Sequence, residues 1–111
     1  MTEDVLLVLS TFPDAETARR ISTELVNEKL VACANLLPPV QSIYSWQGKL
    51  EEGAETLVFF KTTAARFPDL QAKLRELHPY EVPEIIALKL SDGLPDYLRW
   101  VDESCSPVAR P

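Results

Sequence analysis

The sequence has 111 residues, of which 46% are hydrophobic and 25% charged, and its formal net charge is −6. This length fits one domain, and an acidic chain without a cluster of Lys and Arg is not expected to bind nucleic acid. No apolar run approaches the roughly 18 residues of a membrane-spanning helix, and the start of the chain lacks the basic residues of an export signal, so we expect a cytoplasmic protein without a membrane partner.

The first third of the chain predicts a strand, a helix and a second strand. Val5–Leu9 is a continuous apolar run, which is typical of a buried strand. Asp14 offers an N-cap, and apolar residues then recur every three or four positions, which predicts a helix from about Ala15 to Lys29. Val31–Ile43 has strand character again but is interrupted at Pro38-Pro39, because proline cannot donate to a β ladder.

The middle of the chain predicts a β-hairpin. Ser42–Trp46 continues the strand, and Gln47-Gly48 supplies a tight turn with glycine where a positive φ is easiest. The returning arm is predicted at Lys49–Glu52 and Glu55–Thr62, with an irregularity expected at Gly53-Ala54 between them.

The last third predicts a helix, a strand and a final helix. Apolar spacings of three and four over Phe67–Leu77 indicate an amphipathic helix that Pro79 ends. Glu84–Leu90 alternates as a strand does, and Pro95 opens a third helix.

In chain order the elements are β-α-β-β-α-β and a last helix, which is the split βαβ pattern of ferredoxin-like α+β folds with an antiparallel sheet. Residues 1–105 are predicted to form this single domain. Residues 106–111 contain two prolines and little to bury, so a disordered tail is expected there.

The central hairpin is too long for a globule of this size. Val31–Trp46 would span roughly 53 Å if fully extended, whereas a domain of this length is roughly 35 Å across. Ile43, Tyr44, Trp46 and Leu50 in its far half would then be exposed in a monomer. Because exposed apolar surface marks interaction sites, self-association is expected; the alternative is a hairpin that folds back on its own sheet.

Several motifs in this order and spacing resemble the CutA family, whose members are named for divalent-cation tolerance. The matching segments, spread over about residues 5 to 105, are Thr11–Asp14, Leu30–Asn35, Ser42–Leu50, Phe60–Thr63 and His78–Glu84. The resemblance implies a cytoplasmic homotrimer assembled through the long hairpins, with an architecture similar to the PII signal-transduction proteins. It also implies a role in divalent-cation or copper tolerance without catalysis.

The resemblance implies a metal site. In some family members two cysteines and the histidine of the His-Pro-Tyr motif are associated with copper; Cys33 and His78 match two of these positions, and Ser10 stands where the family has a cysteine. Copper or another divalent cation, not required for folding, is therefore the expected ligand, although a hydroxyl is a poorer ligand for a soft ion than a thiolate. The alternatives are a reduced core residue at Cys33 and a helix cap at His78.

A second candidate site draws on aromatic and charged residues within the matching motifs, which would line an intersubunit cleft for a small anion or metabolite. These residues are Tyr44, Trp46, Lys61, Tyr80 and Glu84. The alternative is a structural lysine–glutamate pair surrounded by packed aromatics.

Other chemistry is weakly supported. Glu51-Glu52 and Glu55 would suit a hard cation but more often keep a strand edge soluble. The three glycines are widely separated, so no phosphate loop is present, and a Cys33–His78 nucleophile pair lacks an activating group nearby. We therefore expect a metal-responsive protein rather than an enzyme, with a PII-like sensor or interaction module as the alternative.

Overall fold

The computed structural model describes residues 4–106, so the predicted tail at 106–111 lies outside the described residues except for Ser106. The elements in chain order are β1 (Val5–Phe12), α1 (Ala15–Asn27), β2 (Cys33–Leu36), β3 (Val40–Trp46), β4 (Lys49–Thr63), α2 (Phe67–Leu77), β5 (Ile86–Lys89) and α3 (Pro95–Ser104). The predicted βαββαβ order with a final helix is confirmed, except that the predicted second strand is divided into β2 and β3. Among the described residues no helix combines the length and hydrophobicity needed to cross a membrane.

The sheet is antiparallel throughout and centres on β4. The strands lie in the order β2-β4-β1-β5, and β3 pairs with the first half of β4. Along one edge of β4, β3 runs from Trp46 opposite Lys49 to Val40 opposite Glu55, and β2 continues from Leu36 opposite Val58. β4 therefore belongs both to a central sheet and to a two-stranded hairpin.

The main core lies between the sheet and two helices. Alternate residues of β1 and β4 point to the face that α1 and α2 cover, because successive side chains of a strand project to opposite sides. The largest buried side chains of this core come from both strands and both helices: Val8, Phe12, Ile21, Leu25, Val58, Phe60, Leu70 and Leu74. We call the part of the molecule around this core the body; it comprises β1, β2, β5, the second half of β4 and the helices.

The opposite face of the sheet is only partly covered. Helix α3 packs there through a small cluster in which Val101 and Cys105 contact Val5 and Ala32. The remaining apolar side chains of this side form what we call the open face: Leu7, Leu9, Leu57, Phe59, Ile86 and Leu88. Ile86 and Leu88 are each 51% exposed, so this face presents apolar surface to its surroundings.

The hairpin of β3 and the first half of β4, here called the arm, protrudes from the body. The described molecule measures 52 × 26 × 23 Å, and its radius of gyration of 14.8 Å exceeds the roughly 13 Å of a compact domain of this size. Ile43 and Leu50 are 63% and 77% exposed. The hairpin does not fold back on its own sheet in this chain.

Local chemistry explains the turns. Gln47 and Gly48 both have positive φ, at 51° and 79°, which is the two-residue turn that suits the twist of a hairpin. Helix α1 ends two residues earlier than predicted, because Lys29 adopts a left-handed φ of 59°. The Lys29 N–H then bonds the Val26 carbonyl and the Leu30 N–H bonds the Leu25 carbonyl, which closes the helix end.

The irregularity expected at Gly53-Ala54 is not present. Gly53 pairs with Ser42 and Ala54 with Gln41 inside an unbroken ladder, so β4 runs as one strand of 15 residues. Glycine weakens a strand without necessarily bending it. The break occurs on the facing side, between β2 and β3, where Pro38 and Pro39 stand.

Candidate functional site

A cleft of about 690 Å³ opens between the arm and the loop that joins α2 to β5. Its lining comes from β1, both strands of the arm and the loop: Thr11, Ser42, Ile43, Tyr44, Trp46, Glu55, Pro79, Tyr80, Glu81, Val82 and Glu84. Four of the five residues predicted for a ligand cleft, namely Tyr44, Trp46, Tyr80 and Glu84, are thus brought together within one chain.

The inner end of the cleft is closed by a hydrogen bond between the loop and the arm. The Tyr80 hydroxyl donates to Glu55 Oε2 at 2.7 Å. Burial raises the pKa of Tyr80, and the neighbouring Glu55 carboxylate raises it further. The phenol therefore stays protonated at neutral pH and keeps donating to Glu55.

The mouth of the cleft carries aromatic rings and further carboxylates. Ser42, Tyr44 and Trp46 share one face of β3 because their positions alternate along the strand. Tyr44 is 50% and Trp46 41% exposed in the single chain, so both rings are partly uncovered there. Glu81 and Glu84 are exposed on the loop opposite, and no Lys, Arg or His is among the lining residues that the structure describes.

His78 fixes the start of this loop. Its Nε2 lies 2.8 Å from the Thr11 carbonyl oxygen, and therefore carries the proton, while Nδ1 accepts from the Tyr80 N–H at 3.1 Å. The ring stacks on Phe12 with centroids 4.7 Å apart. Burial lowers the pKa of His78, which favours the neutral imidazole. His78 is the C-cap residue of α2, as the alternative interpretation expected, but it caps through its backbone N–H, which bonds the Leu74 carbonyl, while its side chain ties the loop to β1.

The three positions of the predicted metal site are not assembled within one chain. Ser10 pairs with Val58, whereas Cys33 pairs with Lys61, three residues further along β4. Val58 and Lys61 are an odd number of residues apart on β4, so their side chains project from opposite faces of the sheet. Their partners Ser10 and Cys33 therefore also lie on opposite faces. Ser10 is fully buried on the helix side and its hydroxyl has no hydrogen-bond partner among the described residues.

Cys33 lies on the side of the sheet that α3 partly covers. It is half-buried, and its Sγ lies 3.8 Å from the Tyr97 hydroxyl. Within residues 4–106 no group of three or more His, Cys, Asp or Glu side chains is arranged to hold a metal ion. A metal bound at Cys33 would therefore need further ligands from outside the described residues.

Lys61 stands apart from the other predicted cleft residues. Its ammonium donates to Asn35 Oδ1 on the neighbouring strand β2, and it forms no salt bridge with Glu84 among the described residues. The three glutamates considered for a hard cation do not share one face. Glu51 and Glu55 project from one face of the arm and Glu52 from the other.

Comparison with known proteins decides the family. The model of the CutA1 divalent ion tolerance protein family matches residues 6–104 of this chain. The chain belongs to this family. Its relatives include the divalent-cation tolerance protein CutA of Thermus thermophilus, which is 47% identical over 98 residues, covering 88% of this chain and 95% of the relative.

Relatives from other kingdoms agree. Mouse protein CutA is 42% identical over 99 residues, which are 89% of this chain but only 56% of the longer mouse protein. The solved structure of the periplasmic divalent cation tolerance protein CutA from Archaeoglobus fulgidus is 32% identical with a TM-score of 0.89, covering 92% of this chain and 99% of that one. The ferredoxin-like fold of this chain is thus shared with that solved structure.

Sequence reasoning missed part of the cleft. Glu55 was assigned to the soluble hairpin edge, but pairing with Val40 brings it to the base of the arm beside Tyr80. No local signal reveals this, because it depends on the register of two strands and on the path of a loop. Glu81 offered a signal, since it lies inside the His78–Glu84 motif between two predicted site residues.

Proposed function

We propose that this member of the divalent-cation tolerance family is a cytoplasmic homotrimer of PII-like architecture that acts without catalysing a reaction. The open face carries this proposal. Its apolar residues, with Ile86 and Leu88 half exposed, adjoin a protruding arm whose side chains are also exposed. Self-association would bury both surfaces, and closed symmetry prevents indefinite growth.

Light scattering at micromolar protein concentration tests the assembly, and three chain masses are expected. Leu88→Glu should lower the mass to one chain because it places a charge on the open face. Val26→Glu is the matched control, since Val26 is exposed on α1 at the covered side of the sheet. A single-chain mass for the unmodified protein would contradict the trimer, and dissociation by both variants alike would contradict the open face as its interface.

We also propose copper or another divalent cation as the ion to which the protein responds, with Cys33 and His78 as candidate ligands. Thiolate and imidazole are donors that copper favours. Since Ser10 points to the other face and both His78 nitrogens are bonded within the chain, the ion would need ligands from a second subunit or a rotated imidazole. We expect folding not to require the metal, because apolar side chains of β1, β4, α1 and α2 supply the main core.

Titration with Cu(I) and Cu(II) tests these ligands. Cys33→Ala and His78→Ala should each weaken binding, and Cys105→Ala, which removes the other, buried thiol, should not. Equal binding by all variants would show that the proposed ligands are wrong. An unchanged unfolding midpoint in the presence of a chelator is expected if metal is not needed for folding.

The cleft favours a second function, that of a small-molecule sensor or interaction module. Its volume lies in the range of about 300–1,000 Å³ that is usual for ligand sites. Thermal-shift screening against amines, organic acids, nucleotides and metal salts tests this function. A stabilising compound whose effect disappears in Trp46→Leu, without any dependence on metal, would favour it; no stabilising compound would leave the cleft without a ligand role.

A further inference from the structure

We infer that the exposed apolar residues of α3 receive the arm of a neighbouring subunit, so that a second copy of this chain covers them. We call these residues, Leu94, Tyr97 and Trp100, the α3 ridge. The inference rests on the homotrimer proposed above and adds to it the surface on which the arm docks. The apolar surfaces of the chain, the symmetry of a trimer and the length of the arm each point to this ridge.

Helix α3 carries more apolar surface than its own chain covers. Val101 and Cys105 are buried against the sheet, whereas Leu94, Tyr97 and Trp100 are 70%, 41% and 45% exposed. The rings of Tyr97 and Trp100 lie side by side, with centroids 5.5 Å apart. A helix that is apolar well beyond its core-facing stripe is typical of a buried helix, so a second partner is expected for α3.

The α3 ridge borders the open face. Val5 of β1 contacts α3, and Leu7 of the open face lies two residues further along the same strand, on the same side of the sheet. Tyr97 also extends over strand β2, where its hydroxyl lies 3.8 Å from Cys33 Sγ. A subunit that covers the open face is therefore next to α3 as well.

The symmetry of a trimer requires two different patches on each chain, because a patch can pair with itself only across a two-fold axis. Among the described residues, most exposed large apolar side chains belong to the arm, to the open face or to α3 and the segment before it. The arm protrudes from its own body and so has to lie on another one. One patch is therefore the arm, and the other is the open face together with the α3 ridge.

The open face alone is too small for the arm. Its residues lie on the three adjacent strands β4, β1 and β5, which are roughly 10 Å apart from first to last. A strand of seven residues such as β3 extends over roughly 23 Å. The arm therefore continues beyond the open face, and the α3 ridge is the apolar surface that adjoins it. Tyrosine and tryptophan are also the residues that often contribute most to association.

Photo-crosslinking identifies the neighbour of the ridge directly. Benzoylphenylalanine in place of Trp100 keeps a large aromatic side chain and reacts under near-ultraviolet light with whatever it contacts. Irradiation at micromolar protein concentration should join chains, and peptide mass spectrometry should locate the bond within residues 40–55, the arm. The matched control has the same label in place of Val26, which is exposed on α1 at the helix-covered side of the sheet, and it should not join chains.

The outcomes separate the docking surface from the trimer on which it rests. Three chain masses by light scattering, together with a crosslink from Trp100 to another α3 or to no other chain, would overturn the ridge as the place where the arm docks while keeping the trimer. Equal crosslinking from both labelled positions would overturn it too, because random encounters would then explain the products. A single-chain mass for the unmodified protein would overturn both.

The fluorescence of Trp100 gives a second measurement that leaves the ridge unchanged. The chain has two tryptophans, so Trp46→Phe leaves Trp100 as the only indole and keeps an aromatic ring in the arm. Acrylamide should quench Trp100 at least about threefold less in this variant than in the single chain produced by adding Leu88→Glu, because the arm excludes solvent from the indole. Equal quenching in the trimer and in the single chain would show that no subunit covers the α3 ridge.

Discussion

The body and the arm share strand β4 but bury their apolar side chains to opposite extents. In the body, Val58 and Phe60 are fully buried between the sheet and two helices. In the arm, Ile43 and Leu50 are 63% and 77% exposed, and the hairpin is held by its backbone ladder and its turn. The body therefore has a core of its own, whereas the apolar surface of the arm is left for another molecule to cover.

The largest expected effect comes from the core of the body. Phe60→Ala should lower the free energy of unfolding by about 3–5 kcal/mol, at every protein concentration, because Phe60 is fully buried and packs edge-on to Phe12 with centroids 6.5 Å apart. Urea unfolding measures it.

The neighbouring Phe59 provides the matched control, since it points to the open face. Phe59→Ala should lose stability mainly at concentrations at which the unmodified chain associates. If the two variants lost the same free energy in dilute solution, the contrast between the covered and the open side of the sheet would be refuted.

The turn of the arm should matter less and only locally. Gly48 has a φ of 79°, where a side chain is disfavoured, so Gly48→Ala should cost the arm about 1–2 kcal/mol. Amide hydrogen exchange should accelerate in β3 and the first half of β4 and stay unchanged in β1. Gln47→Asn, which better suits a left-handed position, should slow the same amides; equal changes in β1 would show that the arm is not an independent unit.

The contact between loop and arm should contribute still less. Tyr80→Phe removes the hydrogen bond to Glu55 and should lower the free energy of unfolding by about 1 kcal/mol. Tyr97→Phe is the control, because its hydroxyl makes only a 3.8 Å contact with Cys33 Sγ. A larger loss in Tyr97→Phe than in Tyr80→Phe would contradict the role given to the loop contact.

The last effect concerns pH, and it involves the only histidine of the sequence. Burial lowers the pKa of His78 below its ordinary value of 6.5, so the unfolded chain binds a proton more readily than the folded one. Stability from this group is complete above about pH 6.5 and declines as pH falls below it, by at most about 1.4 kcal/mol per pH unit.

Urea unfolding between about pH 5 and 7.5, above the range in which ordinary carboxylates titrate, measures this effect. His78→Gln should show a flatter profile than the unmodified chain over this range. A parent protein whose stability increases as the pH falls would contradict a buried neutral imidazole at this position.

Sequence reasoning succeeded where local chemistry determines the backbone. Gln47-Gly48 adopts the turn expected of it, Pro38-Pro39 separates two strands, and Pro79 follows the end of α2. Lys29 was missed because the left-handed helix end is usually occupied by glycine. At Gly53 the sequence predicted an irregularity that is absent, because the paired residues before and after it keep the strand extended.

For the candidate sites, the sequence predicted only which side chains of one strand share a face, because side chains alternate along a strand. Tyr44 and Trp46 share a face whatever their partners are. The separation of Ser10 from Cys33, and of Lys61 from the cleft, follows instead from how β1 and β2 align on either side of β4. A shift of one residue in that register would move every side chain of the strand to the opposite face of the sheet. The hydrophobic pattern of a single strand does not specify the register.

Strand β4 passes from the body into the arm without interruption, while the facing chain is tied at its break by the Leu37 N–H to the Leu57 carbonyl. The arm consequently has no free hinge, and its direction is set when the body folds. When a partner binds the arm, the arm loses little conformational entropy, because it is already ordered before binding. Association through the arm should therefore behave as a rigid-body encounter, with a rate that is limited by orientation rather than by folding.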